Sequence, residues 1–434
     1  MRIKLLNLAL FLLALQASAQ SEGLLGDTDG EWNFLGFTGY AGEVVINPLT
    51  GSSYFYWLFQ AIQGNILTDK YPLVIWLAGG PGCASGPAVI FDYITPFIID
   101  DNGEPILNPN NWVNQVHFMA IDHPIGTGFS FSNSPNDYKN NTSGDTNQLY
   151  TLLVRLAQKY PTWFNRDLYI FGVSYGGKWA PAIAYKILSE NQGASPPYRF
   201  NLKGIGVGDP WTNPAVQTSF YGYVAYSSGL INQEELSIIQ AYEEEIQNQI
   251  SSGDLYEAQN NVGMVMELIY EYTGGINTYD IRKFTDYNST AIEYWLNLNS
   301  TKALLHAPLN MEHLGCNPNV YDMTTDFMES SAMLFPYILD NINVLMWIGQ
   351  DDLLLNTPCV ENLVANINWP GIQGLLNTNK MIWKVNGTVA GYVKNYSTFT
   401  FVHLLKSGHI GCHDQPANSR DMFFRFIYNE GWQQ

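Results

Sequence analysis

The chain has 434 residues, with 39 acidic against 20 basic side chains, a formal charge of −19, and 46% hydrophobic residues. Nucleic acids and anionic membrane surfaces are bound through basic patches, so this balance excludes both as expected partners. The length and apolar content suffice for a large buried core, and no segment repeats or is low in complexity.

At the start, Met1-Arg-Ile-Lys4, a leucine-rich stretch from Leu5 to Leu15 and Ala17-Ser-Ala19 form the charged, apolar and small-residue regions of a secretory signal peptide, assigned to residues 1–19. Its apolar part is too short for a membrane span. The mature chain is therefore expected in the secretory pathway, either secreted or in a lysosomal or vacuolar lumen. Six Asn-x-Ser/Thr sites, at Asn140, Asn141, Asn288, Asn299, Asn386 and Asn395, fit that route as glycosylation sites. Strands are expected at 72–77, 115–121, 167–173, 202–208, 343–348 and 399–405, where short apolar runs end in turn residues. Helices with an apolar stripe alternate with them, as over 148–156, and this alternation predicts an α/β fold with a doubly wound, mostly parallel sheet. Between the strand ending near Asp209 and the one starting near Asn343 lies more chain than a crossover needs. Residues 20–211 and 316–434 are read as the core and 212–315 as a helical insertion. Its acidic run, Glu243-Glu-Glu245, is read as a solvated helix face.

Three strand ends carry chemistry. Gly172-Val-Ser-Tyr-Gly-Gly177 lies between a strand-like run and a helix-like run beginning at Lys178, which makes Ser174 a candidate nucleophile on a sharp strand-to-helix turn. The apolar run from Asn343 to Ile348 empties into Gly349-Gln-Asp-Asp352, and the run from Thr398 to Leu405 leads to Lys406-Ser-Gly-His409. Ser174, Asp352 and His409 thus stand in the chain order of an α/β-hydrolase, with His409 taking the serine proton and Asp352 orienting the imidazole. Placement at a strand end selects them over Asp351, His123, His403 and His413. An oxyanion hole needs two backbone donors, and the amide of Tyr175, following the nucleophile, supplies one. The loop Gly79-Gly80 can supply the second. No cysteine pair has metal-ligand spacing, and neither metal nor cofactor is expected.

Trp76-Leu-Ala-Gly-Gly-Pro-Gly-Cys-Ala-Ser85, Ile121-Asp-His-Pro-Ile-Gly-Thr-Gly-Phe-Ser130, Gly172-Val-Ser-Tyr-Gly-Gly177 and Ser407-Gly-His-Ile410 resemble, in order, the signature segments of the serine carboxypeptidase family. Weaker similarity at 54–59, 296–306 and 387–393 extends the likeness from about residue 30 onward. The resemblance implies that the insertion acts as a lid shaping the substrate cleft, that Gly80 is the second oxyanion donor, and that Trp76, Gly79 and Asp92 contact a peptide or small acyl substrate. It also implies a Cys83–Cys316 disulfide, leaving Cys359 and Cys412, which follow Asp352 and His409 closely, as a second pair. The family recognises the substrate's free carboxylate with an Asn, a Glu before the serine, and a second Glu. Here those places hold Ala78, Val173 and Asp92. The expected activity is hydrolysis of C-terminal peptide bonds through an acyl-enzyme. An esterase, amidase or acyltransferase with altered recognition is the alternative. A non-catalytic binding protein is a further one, against which the complete set of Ser174, Asp352, His409 and Gly79-Gly80 argues.

Overall fold

The computed structural model describes residues 26–317 and 323–432, so the signal peptide expected at residues 1–19 lies outside the described residues. An eleven-stranded sheet organises the chain. Its strands are β1 (Gly30–Phe34), β2 (Phe37–Asn47), β3 (Ser52–Phe59), β4 (Leu73–Leu77), β7 (His117–Ile121), β8 (Leu168–Val173), β9 (Leu202–Gly208), β10 (Asn343–Gly349), β11 (Met381–Val385), β12 (Thr388–Tyr396) and β13 (Phe399–Leu404). β5 (Phe97–Ile99) and β6 (Pro105–Leu107) form a separate two-stranded ribbon.

The order is β1-β2-β3-β7-β4-β8-β9-β10-β13-β12-β11. Its middle, from β7 through β4, β8, β9 and β10 to β13, is parallel throughout. Antiparallel strands flank it on both sides. These six parallel strands are the six anticipated from apolar runs, and they are apolar on both faces because helices cover both faces. Side chains alternate accordingly. In β10, Val344, Met346 and Ile348 join one buried cluster while Leu345 and Trp347 join the other. The glycines of β9 serve this packing, since a Cβ at Gly208 would stand 2.1 Å from the Trp347 ring and one at Gly206 2.3 Å from Phe171.

Among the described residues, the stretch between β9 and β10 is helical. Its longest elements are Gln233–Ser252 and Leu255–Thr273, an antiparallel pair joined by Gly253 and Asp254. Asn232 opens the first with a reciprocal capping box to Glu235, and Gly253 closes it with φ 84°, the left-handed conformation glycine adopts without steric cost. In the acidic run on this helix Glu244 and Glu245 are exposed, as expected of a solvated face, and Glu243 departs from it: Glu243 is buried and accepts the Gly222 amide at 2.9 Å. Burial pushes its carboxyl up to about 7. The reason is its position on the stripe with Leu236, Ile239 and Ile246, which faces the core.

The insertion then turns back over the sheet. Thr278 O accepts the amides of Leu353 and Leu354, Asp351 O accepts the Ile281 amide, and Tyr279 O accepts the His409 amide. One segment thereby spans the loops that follow β10 and β13.

Candidate active site

The candidate nucleophile sits where β8 passes into the helix Gly176–Asn191. Ser174 has φ 60°, a left-handed conformation that costs free energy for a residue with a Cβ and persists where surrounding structure enforces it. The enforcement is visible in the glycines. A Cβ on Gly172 would meet Gly176 O at 2.7 Å, and one on Gly176 would meet Leu77 O at 2.8 Å. The Ser174 amide donates to Gly208 O and its carbonyl accepts the Trp211 amide, both at 2.9 Å. On the other side lies the glycine loop, where a Cβ on Gly79 would stand 2.7 Å from Ser174 Cβ and 2.9 Å from Tyr175 N. Only bare backbone fits against the nucleophile there. Tyr175 is held in turn by its hydroxyl, which donates to Asp326 at 2.5 Å, and Asp326 pairs with the buried Lys178 at 3.1 Å.

Asp352 and His409 follow β10 and β13, strands adjacent in the sheet. His409 Nδ1 and Asp352 Oδ2 are 2.7 Å apart. A carboxylate only accepts, so Nδ1 carries the hydrogen, and in the neutral ring Nε2 is left with its lone pair. Asp352 Oδ1 accepts the Leu355 amide at 3.0 Å. His409 Nε2 is buried and has no hydrogen-bond partner among the described residues, including Ser174. Tyr279 meets the imidazole edge-on, with ring centroids 4.6 Å apart.

The competing residues are placed elsewhere. Asp351 faces the Arg282 guanidinium at 3.3 Å. His403 faces Glu361, and His413 stacks on Phe91 and bonds its carbonyl. His123 is buried against Tyr54 and Trp179, and burial lowers its imidazole to about 3.

One neighbour has no counterpart among the sequence expectations. Asp209, immediately after β9, is fully buried at φ 42°, and its Oδ1 accepts the Gly349 amide at 2.8 Å. A carboxylate oxygen of Asp209, one of Asp352 and a ring nitrogen of His409 all lie within 4.8 Å of one another. A lone Asp after a strand has no pattern that would single it out.

A cleft of about 710 Å³ opens beside the site, between Cys83, Ala84 and Phe91 on one side and Tyr279, Tyr287 and Ile410 on the other. Two expectations need correction here. Trp76 does not reach this cleft: the alternation of β4 points it into the core, fully buried against Trp112 and Phe118. Cys359 and Cys412 are free and buried rather than paired, because they pack in the two clusters on opposite faces of the sheet. Cys83 and Cys316 form a disulfide. Asp92 is buried one residue beyond Phe91, and burial, reinforced by the charge of Asp414, pushes its carboxyl up to about 8. Ala78 is buried and Val173 half-buried, so neither offers a polar group to a substrate.

The sequence profile described as "Serine carboxypeptidase" matches residues 29–429. A probable serine carboxypeptidase CPVL of Dictyostelium discoideum is 34% identical over 418 residues, covering 94% of this chain and 80% of its own. A serine carboxypeptidase S10 family member 1 of the same organism is 31% identical, covering 90% and 94%. Among solved structures, Kex1, described as a prohormone-processing carboxypeptidase from Saccharomyces cerevisiae, aligns with a TM-score of 0.80 over 90% of this chain and 91% of its own, at 24% identity, which speaks for the fold. Profile, relatives and fold agree with the strand-end geometry, and the chain belongs to the serine carboxypeptidase family.

Proposed function

We propose that the protein hydrolyses peptide bonds at the C-terminus of its substrates through an acyl-enzyme on Ser174. His409 Nε2 takes the Ser174 proton as Oγ attacks the carbonyl, and returns it to the leaving amine. Asp352 holds the imidazole in the tautomer this needs and stabilises the imidazolium. The amides of Gly80 and Tyr175 receive the developing oxyanion. The observation that carries the reading is the 2.7 Å His409–Asp352 bond with a free, buried Nε2, at the sheet edge where Ser174 is held at φ 60°. Fluorophosphonate labelling tests it directly. The wild-type protein should be labelled and should cleave a C-terminal residue from a blocked dipeptide, and Ser174→Ala should do neither. Labelling that survives in Ser174→Ala would refute the assignment.

A second reading, that acyl substrates without a free carboxylate are preferred, rests on Ala78 and Val173. Two hydrogen bonds to a charged group at about 1.5–3 kcal/mol each amount to roughly 10²–10⁴ in discrimination. A panel of peptide acids, their amides and simple esters separates the two readings. The secretory route is supported by the exposed position of all six sequon asparagines. No described helix is long and apolar enough to cross a membrane.

A further inference from the structure

The buried Asp209 is used by none of the steps above, yet it stands against two of the residues those steps need. Asp209 and Asp352 are both almost wholly buried, and both approach the same imidazole. Two carboxylates this close and this deep cannot both be ionised. Which one keeps its charge follows from their partners. Asp352 accepts from His409 Nδ1 and from the Leu355 amide, whereas among the described residues Asp209 accepts from the Gly349 amide alone, and no donor reaches its buried Oδ2. The proton therefore belongs on Asp209. Burial and the charge of Asp352 both act in this direction, holding the Asp209 carboxyl well above the usual carboxylate range.

We propose that Asp209 is a positioning residue that keeps its proton and donates a hydrogen bond to Asp352, so that acid, carboxylate and imidazole form one row behind Ser174. The proposal rests on the acyl-enzyme reading. In this row the neutral acid does two things. It satisfies an oxygen of Asp352 that would otherwise face another anion, and it leaves the imidazole beside a single negative charge. When Asp209 loses its proton at high pH, two anions face each other beside His409. Asp352 is pushed from its place and the imidazolium is over-stabilised, so the ring returns its proton to the leaving group less readily. Loss of the Asp209 proton then limits activity on the alkaline side.

The other groups around Asp209 do not compete for this role. Asp414 lies near enough to act on it, but that carboxylate is already paired with Arg282 and Lys283 and accepts from Tyr287 and the Gly408 amide. The thiols of Cys359 and Cys412 also feel its charge, and burial holds both thiols protonated. His409 and Asp352 are the members of the row itself.

Asp209→Asn tests the proposal, because an amide keeps the acceptor for the Gly349 N–H and a donor for Asp352 but cannot ionise. kcat/KM for a neutral ester and the rate of fluorophosphonate labelling are measured from pH 5 to 10 in wild type, Asp209→Asn and Asp209→Ala. We expect Asp209→Asn to match wild type within about twofold at acidic pH and to keep its activity at alkaline pH where wild type declines. Asp209→Ala, without a donor, should lose about 10- to 100-fold in kcat at every pH with little change in KM. Overlaid profiles of wild type and Asp209→Asn would overturn the proposal, as would an Asp209→Ala as active as wild type. Thermal unfolding of each variant identifies any that fail to fold, and Asp209→Asn alone then decides. A wild-type protein neither labelled nor active would instead refute the acyl-enzyme reading, so the two failures are distinguishable.

Discussion

At the residue scale, adjacent acids at the end of β10 have been separated by their partners. Asp352 meets the imidazole while Asp351 meets Arg282. Asp352→Asn should therefore lower kcat by about 10⁴-fold with the fold intact, because the wrong tautomer is then favoured. Asp351→Asn should leave kcat within an order of magnitude of wild type. The reverse ranking, measured with one ester substrate, would refute the assignment. Ala78 and Val173 make a second residue-scale prediction. Installing Ala78→Asn together with Val173→Glu should raise kcat/KM for peptide acids relative to their amides, and a ratio that does not move would show that these positions do not govern carboxylate recognition.

At the element scale, the six parallel strands and the three strand-end residues were legible because a strand buried on both faces leaves a continuous apolar run that stops abruptly at the chemistry. The flanking antiparallel strands were not read as strands. β3 is buried along its whole length and aromatic, so it lacks the alternation that marks a half-exposed strand, and β12 carries glycine and alanine where an apolar stripe would be sought. Asp209 escaped for a different reason: its meaning exists only once β9 and β10 are neighbours. The expected Cys359–Cys412 pair fails for a similar reason, while the Cys83–Cys316 pair forms. The loops of Asp352 and His409 do meet, but the chain beyond them diverges to opposite faces of the sheet. Two thiols should accordingly be unreactive toward a thiol reagent in the native protein and appear on denaturation without reductant, and a count of zero would refute the free cysteines. The loop carrying His409 is moored by Asp414, which accepts the Gly408 amide at 2.7 Å and ties it to Arg282, Lys283 and Tyr287 of the insertion.

For the whole molecule, the buried acids set a pH dependence of stability. Asp92 and Asp145 are raised to about 8 and Glu243 to about 7, chiefly by burial, and burial with the charge of Asp352 holds Asp209 well above the usual carboxylate range. Each binds its proton more tightly folded than unfolded, so its contribution is present below the ordinary carboxylate range and is lost as pH rises toward the folded value. The buried histidines oppose this below pH 6.5: burial lowers His117 and His403 to about 4 and His123 to about 3, and the unfolded chain takes up those protons first. Above about pH 6.5 the unfolded histidines give up their protons as well, so their opposition fades over about one pH unit while the contribution of the acids persists. Tm should therefore fall between pH 6.5 and 8, each acid contributing on the order of 1 kcal/mol per pH unit while it titrates. Asp92→Asn and Asp145→Asn together should flatten that decline. A Tm that rises over this interval would contradict the burial argument.

The glycine loop is joined to the end of the insertion twice over. Beside the Cys83–Cys316 bridge, the Ala84 amide donates to Gly315 O and the Asn317 amide to Gly82 O, so main-chain bonds alone define the closed arrangement. The covalent link then matters mainly when those bonds open, where it acts as a tether that keeps the two segments at high effective concentration for one another. Its removal is a kinetic loss of recapture. Cys316→Ser together with Cys83→Ser should work normally in the cold, and its activity should fade at a lower temperature than the wild type, well before the sheet itself unfolds.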